Sequence, residues 1–256
     1  MRLSVKNLSA FYGKKKILHD ISFPDVRGGM IVGLLGPNAS GKSTLMKCLS
    51  GEKKSKGDVV FDGENLHVVG GKRWSEKVAT MPQTAPAPTA LTPTELMWST
   101  ARALALPYSN RELSWKIERI FDDLGLSDFQ LDALHTLSGG KRQLIGLALA
   151  FIREPELLLL DEPTSALDLH WRMIVLDLVK NKVQQSGSVS IAALHDLDLA
   201  ARYCDLLALM ENGKVIASGT PKEVLTRDNL ARVYHVKTEI DLSKHGYPRV
   251  DVIGAI

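Results

Sequence analysis

The stretch Gly36-Pro37-Asn38-Ala39-Ser40-Gly41-Lys42-Ser43-Thr44 carries the most specific chemistry in the chain. It fits the spacing G-x-x-x-x-G-K-[ST] directly after an apolar run at 30–35, which is the pattern of a phosphate-binding loop. Glycines at both ends allow turns tight enough for successive N–H groups to converge on a polyphosphate. The helix predicted to open at Lys42 adds the positive end of its dipole. The Lys42 ammonium would neutralise the terminal phosphates, and the Ser43 hydroxyl would ligate Mg²⁺.

Two further constellations fit the same chemistry. Leu157-Leu158-Leu159-Leu160-Asp161-Glu162 reads as a fully buried strand ending in two carboxylates, at the edge where an open α/β sheet collects its ligands. Asp161 would belong to the Mg²⁺ shell and Glu162 would polarise an attacking water. Leu137-Ser138-Gly139-Gly140-Lys141-Arg142-Gln143 places Ser at a helix N-cap and two glycines at the helix start. That is a second anion-binding helix terminus.

Elements must exist to hold these residues together. Short apolar, β-branched runs at 3–5, 30–35, 59–61, 78–81, 157–160, 189–194 and 206–210 predict strands, and helical patterns separate several of them. The alternation implies an α/β fold with buried parallel strands and an antiparallel segment around residues 53–62. Residues 82–89 are rich in Pro and Ala and read as a hinge, since they can neither continue a strand nor start a helix. Thr92-Pro93-Thr94-Glu95 and Ser109-Asn110-Arg111-Glu112 are capping-box patterns, predicting helices over 93–106 and from 110 to just before Gly125. Residues 85–153 therefore read as an α-helical subdomain inserted into a core formed by 1–84 and 154–256.

Composition sets the outer bounds. With 256 residues, 45% of them hydrophobic, the chain can bury a substantial core without disulfide or metal staples. Cys48 and Cys204 have no paired spacing and read as buried apolar residues of a reducing compartment. The first residues form no signal pattern, and the longest nearly apolar stretch, 144–152, is about half a membrane span. A net charge of +3, from 32 basic and 29 acidic residues, is dispersed and offers no basic stripe for nucleic acid. Membrane association is therefore expected to come through a protein partner.

Taken in order and spacing, the Gly36–Thr44 loop, the Leu137–Gln143 segment, the 157–162 strand, Ser165-Ala166-Leu167-Asp168 and His195 resemble the ATP-binding-cassette ATPases. The Ser-Gly-Gly signature distinguishes that family from other P-loop ATPases. The resemblance implies a RecA-like P-loop NTPase core with an antiparallel β segment and an inserted helical subdomain. It also implies ATP and Mg²⁺ as cofactors. By position, it makes Tyr12 the aromatic that stacks on adenine, Gln83 the hinge residue reaching Mg²⁺ and water, and His195 the switch at the γ-phosphate. The residues alone leave open that Tyr12 is a plain hairpin aromatic, Gln83 a loop amide and His195 a helix cap.

In the family, Ser138, Gly139 and Gly140 would bind ATP held by a second copy, with Asp168 at the shared interface of a head-to-tail dimer. Two positions depart from the family pattern. Lys141 stands where Gln or Glu is usual, adding a cation near the phosphates held in trans. Ala39 stands where Gly is common, disfavouring a positive φ.

The segments after His195, namely Asp198-Leu199-Ala200-Ala201-Arg202-Tyr203-Cys204-Asp205, Gly213-Lys214-Val215, Gly219-Thr220-Pro221-Lys222-Glu223-Val224-Leu225 and Asn229-Leu230-Ala231-Arg232-Val233-Tyr234, are similar to the ATPases of iron-siderophore, haem and vitamin B12 importers. This implies a peripheral subunit on the cytoplasmic face of the inner membrane. Its partners would be integral permease subunits and, indirectly, an extracytoplasmic binding protein, with no nucleic acid. The competing class is a soluble ATPase of the same family acting in nucleic-acid repair or translation. Members of that class usually carry two cassettes or a long coiled-coil insertion, and neither is present here.

Overall fold

The computed structural model describes all 256 residues. The chain opens with a long antiparallel hairpin, β1 (Arg2–Tyr12) and β2 (Lys15–Arg27). β3 (Ile31–Leu35) then runs into the phosphate loop and α1 (Lys42–Leu49). β4 (Ser55–Phe61) and the two-residue β5 (Glu64–Asn65) return to the hairpin, giving a four-stranded antiparallel sheet in the order β2-β1-β4-β5.

Short helices α2 (Leu66–Val69) and α3 (Gly71–Lys77) lead to β6 (Val78–Met81). Three longer helices follow before the next strand: α4 (Pro93–Ala103), α5 (Asn110–Asp123) and α6 (Gly139–Phe151). The rest alternates: β7 (Leu157–Asp161), α7 (Leu169–Ser186), β8 (Val189–Ala193), α8 (Leu197–Tyr203), β9 (Leu206–Glu211) and β10 (Lys214–Gly219). The chain ends in α9 (Pro221–Val224), α10 (Arg227–Tyr234) and a hairpin of β11 (Val236–Leu242) and β12 (Pro248–Ala255).

The central six-stranded sheet has the order β10-β9-β3-β8-β7-β6. All its pairings are parallel except the edge pair β9–β10. The inner strands β3, β7, β8 and β9 are almost wholly buried and mostly apolar because both their faces are covered, whereas the edge strand β10 is half-buried. Leu158 and Leu160 of β7 belong to a 41-residue core beneath α5, α6, α7 and α8. Leu157 and Leu159 belong to a 26-residue core shared with α1 and the four-stranded sheet. Successive side chains of a strand point to opposite faces, so one Leu-rich segment supplies both cores.

Both predicted capping boxes are formed. The Thr92 hydroxyl accepts from the Glu95 N–H at 3.2 Å while Glu95 accepts from the Thr92 N–H at 2.8 Å, and Ser109 and Glu112 repeat the exchange at 3.3 and 2.8 Å. Each satisfies two N–H groups that a helix start otherwise leaves open. The first of these helices ends at Ala103, short of the expected residue 106, because Ala105 takes a left-handed φ of 49°. β2, β10 and the β11–β12 hairpin were not anticipated from the sequence.

Candidate functional site

The phosphate loop sits at the C-terminal end of β3, in the middle of the sheet. Gly36 has φ 141°, and a Cβ there would lie 2.1 Å from the Met210 carbonyl oxygen, so only glycine fits against β9. Gly41, at φ 109°, is the N-cap of α1 and makes no side-chain cap, which leaves the first N–H groups of the helix open. Such a terminus accepts an anion. Ala39 adopts φ 63°; the loop imposes the left-handed conformation that this residue type was expected to disfavour.

Lys42 is buried, and its ammonium donates to the carbonyls of Gly36 at 2.7 Å and Pro37 at 3.1 Å. Burial lowers its pKa, while the nearby Glu162 and Asp161 carboxylates work in the opposite direction. The cation is thus folded back over the loop and faces two acids.

Asp161 closes β7, but Glu162 lies just past the strand with a left-handed φ of 54°. The two carboxylates therefore do not simply continue the strand, as the sequence suggested; the backbone turns between them and re-aims the second. Burial raises the Asp161 pKa and the neighbouring Glu162 charge adds to this, whereas a hydrogen bond from Ser43 and the charge of Lys42 oppose it. Its Oδ1 is buried without a hydrogen-bond partner. Ser43 and Asp161 line a cavity of about 60 Å³ together with Thr80 and Pro82. Two hard oxygen donors, one of them an unsatisfied buried carboxylate, fit Mg²⁺, which is typically held by one or two protein ligands plus substrate phosphates and waters. No cluster of three or more His, Cys, Asp or Glu side chains offers a complete protein cage.

Glu162 Oε1 lies 2.7 Å from His195 Nε2, and both line a hollow of about 230 Å³ with Thr164, Ser165, Arg172 and Asp196. His195 follows β8; the cap of α8 is Asp196, which accepts from the Leu199 N–H at 2.9 Å, so the helix-cap alternative for His195 is ruled out. A carboxylate paired with an imidazole can hold and pass a proton.

Ser138 is the N-cap of α6, accepting from the Lys141 N–H at 3.3 Å. Ser138, Gly139, Gly140 and Asp168 share one surface hollow of about 530 Å³. Asp168 itself caps α7 through the Trp171 N–H at 3.1 Å. The Lys141 ammonium lies 3.1 Å from the centre of the Phe129 ring, a cation–π contact within its own chain. Tyr12 is half exposed, and the Lys53 ammonium covers one face of its ring at 3.4 Å. Gln83 lies exposed in the connection after β6.

Sequence reasoning assigned no role to Gln143. It is 2% exposed in α6; its Nε2 donates to the Glu162 carbonyl at 2.7 Å and its Oε1 accepts from the Ala166 N–H at 3.2 Å. The signal was a single amide at the head of an otherwise apolar helical face, since buried polar side chains nearly always answer to a partner.

A phosphate loop at the end of a central parallel strand, with an acid pair at the end of another, defines a P-loop nucleotide-binding protein. The family model described as ABC transporter matches residues 18–165, and the chain belongs to that family. It is 34% identical over 249 residues to the iron(3+)-hydroxamate import ATP-binding protein FhuC of Bacillus subtilis, covering 93% of this chain and 89% of that one. It is 32% identical over 241 residues to the cobalamin import ATP-binding protein BtuD of Halobacterium salinarum, covering 94% of this chain but only 60% of the relative's length. The solved structure of an ATP-binding subunit of an ABC transporter superposes with a TM-score of 0.76 at 28% identity, covering 91% of this chain and 93% of that one.

Proposed function

We propose that this chain is the ATP-hydrolysing subunit of a multi-subunit importer for a metal chelate such as an iron-siderophore, haem or cobalamin. The observation that carries the reading is the Glu162–His195 pair at 2.7 Å, placed beside the phosphate loop and the Lys42 cation. In this reading the loop N–H groups from Gly36 to Thr44 bind the phosphates, and Lys42 leaves the Gly36 and Pro37 carbonyls to neutralise them. Tyr12 packs on the base once Lys53 yields its face. Ser43, Asp161 and Gln83 hold Mg²⁺, which when bound neutralises charge between the outer phosphates. Glu162 orients the attacking water and takes its proton, and His195 holds the acid and senses the departing phosphate.

Residues 85–153 act as a subdomain that moves against the core of 1–84 and 154–256. Ser138, Gly139 and Gly140 close over ATP bound by a second copy, with Asp168 at the seam. ATP-driven closure of this dimer then shifts a permease between states. The groove flanked by Gln83 and residues 85–98 receives a short helix of that permease. No helix is long and apolar enough to cross a membrane, in keeping with attachment to the cytoplasmic face through the permease. The similarity to hydroxamate and cobalamin import ATPases supports the cargo class.

The test is the solution mass of Glu162→Gln by light scattering, with and without Mg-ATP, alongside its hydrolysis rate. Losing the positioned base should lower the rate by about 10²- to 10⁴-fold and double the mass on Mg-ATP. A variant that hydrolyses ATP at the parent's rate, or that stays monomeric while saturated with ATP, would overturn the corresponding part of the reading.

A further inference from the structure

The Gly36 N–H donates to the Tyr234 hydroxyl oxygen at 2.8 Å, across 198 positions of sequence. Gly36 is the first residue of the phosphate loop, and Tyr234 is the last residue of α10. On its other side, the Gly36 carbonyl accepts from Lys42 at 2.7 Å. Both polar groups of this glycine are therefore tied by side chains from elsewhere in the chain. The two ties differ in permanence: Lys42 must release its carbonyl to meet a phosphate, whereas nothing in nucleotide binding draws Tyr234 away. Burial pushes the Tyr234 pKa up to about 12, so the phenol is neutral at physiological pH.

Tyr234 is itself braced. The chain turns directly after it through His235, at a left-handed φ of 56°. The carbonyl of His235 accepts from the N–H of the terminal Ile256 at 2.8 Å. In the same hairpin, the Val250 N–H donates to Asp198 Oδ1 at 3.0 Å, and Asp198 lies in the first turn of the helix that follows His195. The C-terminal hairpin is thus tied to the residue next to Tyr234 and to the helix that follows His195. Buried backbone N–H groups without partners are rare and costly, so removal of the phenol oxygen should let the loop entrance shift rather than leave the Gly36 amide unpaired.

We infer that Tyr234 is a positioning residue for nucleotide binding: it holds the first glycine of the phosphate loop in the conformation that receives phosphates, and the C-terminal hairpin holds Tyr234. This rests on the reading of the loop as the ATP site. The residue touches no reacting atom, so its removal should weaken affinity more than turnover.

The experiment compares Tyr234→Phe with the parent by titration with a fluorescent ATP analogue, by kcat and KM for Mg-ATP, and by thermal melting. Val233→Ala, which opens a cavity in the same helix without touching Gly36, serves as the control. Tyr234→Phe should raise Kd and KM about 5- to 10-fold, the order expected for one lost hydrogen bond to a buried group, with kcat within about twofold of the parent. Val233→Ala should lower the melting temperature without that change in affinity. Equal affinity of Tyr234→Phe and parent, or an equal loss in Val233→Ala, would overturn the inference. A parent that binds no nucleotide would instead overturn the ATP-site reading beneath it. Hydrogen exchange in the parent gives a second arm, independent of any variant: the Gly36 amide should be protected both with and without nucleotide, and rapid exchange without nucleotide would also refute the role.

Discussion

Gln143 joins two parts of the site: its Nε2 donates to the carbonyl of Glu162 at 2.7 Å while its Oε1 accepts from the Ala166 N–H at 3.2 Å. The helix headed by Ser138-Gly139-Gly140 is thereby bolted to the turn that aims Glu162. The amide ties α6 to the backbone of Glu162 and of Ala166 at once. Gln143→Leu keeps the bulk but leaves the Ala166 N–H unpaired, at about 1–3 kcal/mol, while the Glu162 carbonyl keeps the Ser165 N–H and hydroxyl as donors. For a chain of this size, each kcal/mol corresponds to about 2–4 °C in melting temperature. We expect a fall of several degrees together with at least a tenfold loss of ATPase rate at saturating ATP, measured by calorimetry and phosphate release. A variant that melts lower but keeps the parent's turnover would show that the amide is structural only.

Asp161 shows site chemistry working against stability. Its folded pKa is raised, chiefly by burial, so folding disfavours its charged form. The sign follows: the cost is fully present above the raised folded pKa and is relieved as pH falls through it toward the ordinary carboxylate value of 3.8. Asp161→Asn should therefore melt about 2–4 °C higher than the parent at pH 7, and the gain should vanish near pH 3.5. Hydrolysis supported by Mg²⁺ should be lost in the same variant. A melting difference that stays constant with pH would mean that the carboxylate is not the source of the cost.

Much of this was legible because it is local. The phosphate loop, both capping boxes and the doubly buried Leu157–Asp161 strand are written in consecutive residues, and short-range physics fixes them. The strand β2 escaped notice because its run of Lys15, Lys16, His19, Asp20 and Asp25 interrupts the apolar alternation that marks a strand. The terminal hairpin, with Lys237, Glu239, Asp241, Arg249 and Asp251, hid for the same reason: a sheet face turned to water need not be apolar. What no periodicity can reveal is a bond such as Tyr234 to Gly36, which exists only once distant elements have packed. The left-handed turn at Glu162 is of the same kind, since nothing in that residue type asks for it.

Ala39 and Gly36 both have positive φ, yet changing them should have very unequal consequences. Ala39, at 63°, carries about 1 kcal/mol of left-handed strain that glycine would remove. A glycine, however, gains about 0.4–1 kcal/mol of freedom in the unfolded chain. The terms nearly cancel, so Ala39→Gly should leave the unfolding free energy within about 0.5 kcal/mol of the parent's. Gly36→Ala adds a Cβ 2.1 Å from the Met210 oxygen, a backbone atom that cannot swing aside, and should cost about 3 kcal/mol or more. Urea unfolding of the pair decides it; a large gain for Ala39→Gly would mean that the loop strain had been underrated.

The two native thiols bear on how the proposed permease contact can be tested. Cys48 is fully buried and Cys204 is 6% exposed. Burial pushes the Cys48 pKa up to about 11 and that of Cys204 higher still, so the reactive thiolate is scarce at pH 8. Ellman's reagent should therefore modify neither within minutes in the folded protein, and both at once on denaturation. A cysteine placed at the exposed Thr89 should react about 100-fold faster than either, without removal of the native pair. In membranes holding the whole transporter, Thr89→Cys should crosslink to a cysteine in a cytoplasmic permease loop, and Mg-ATP should change the yield if the helices between β6 and β7 move with the nucleotide. Crosslinks formed only from the opposite face of the chain would refute the assignment of the groove.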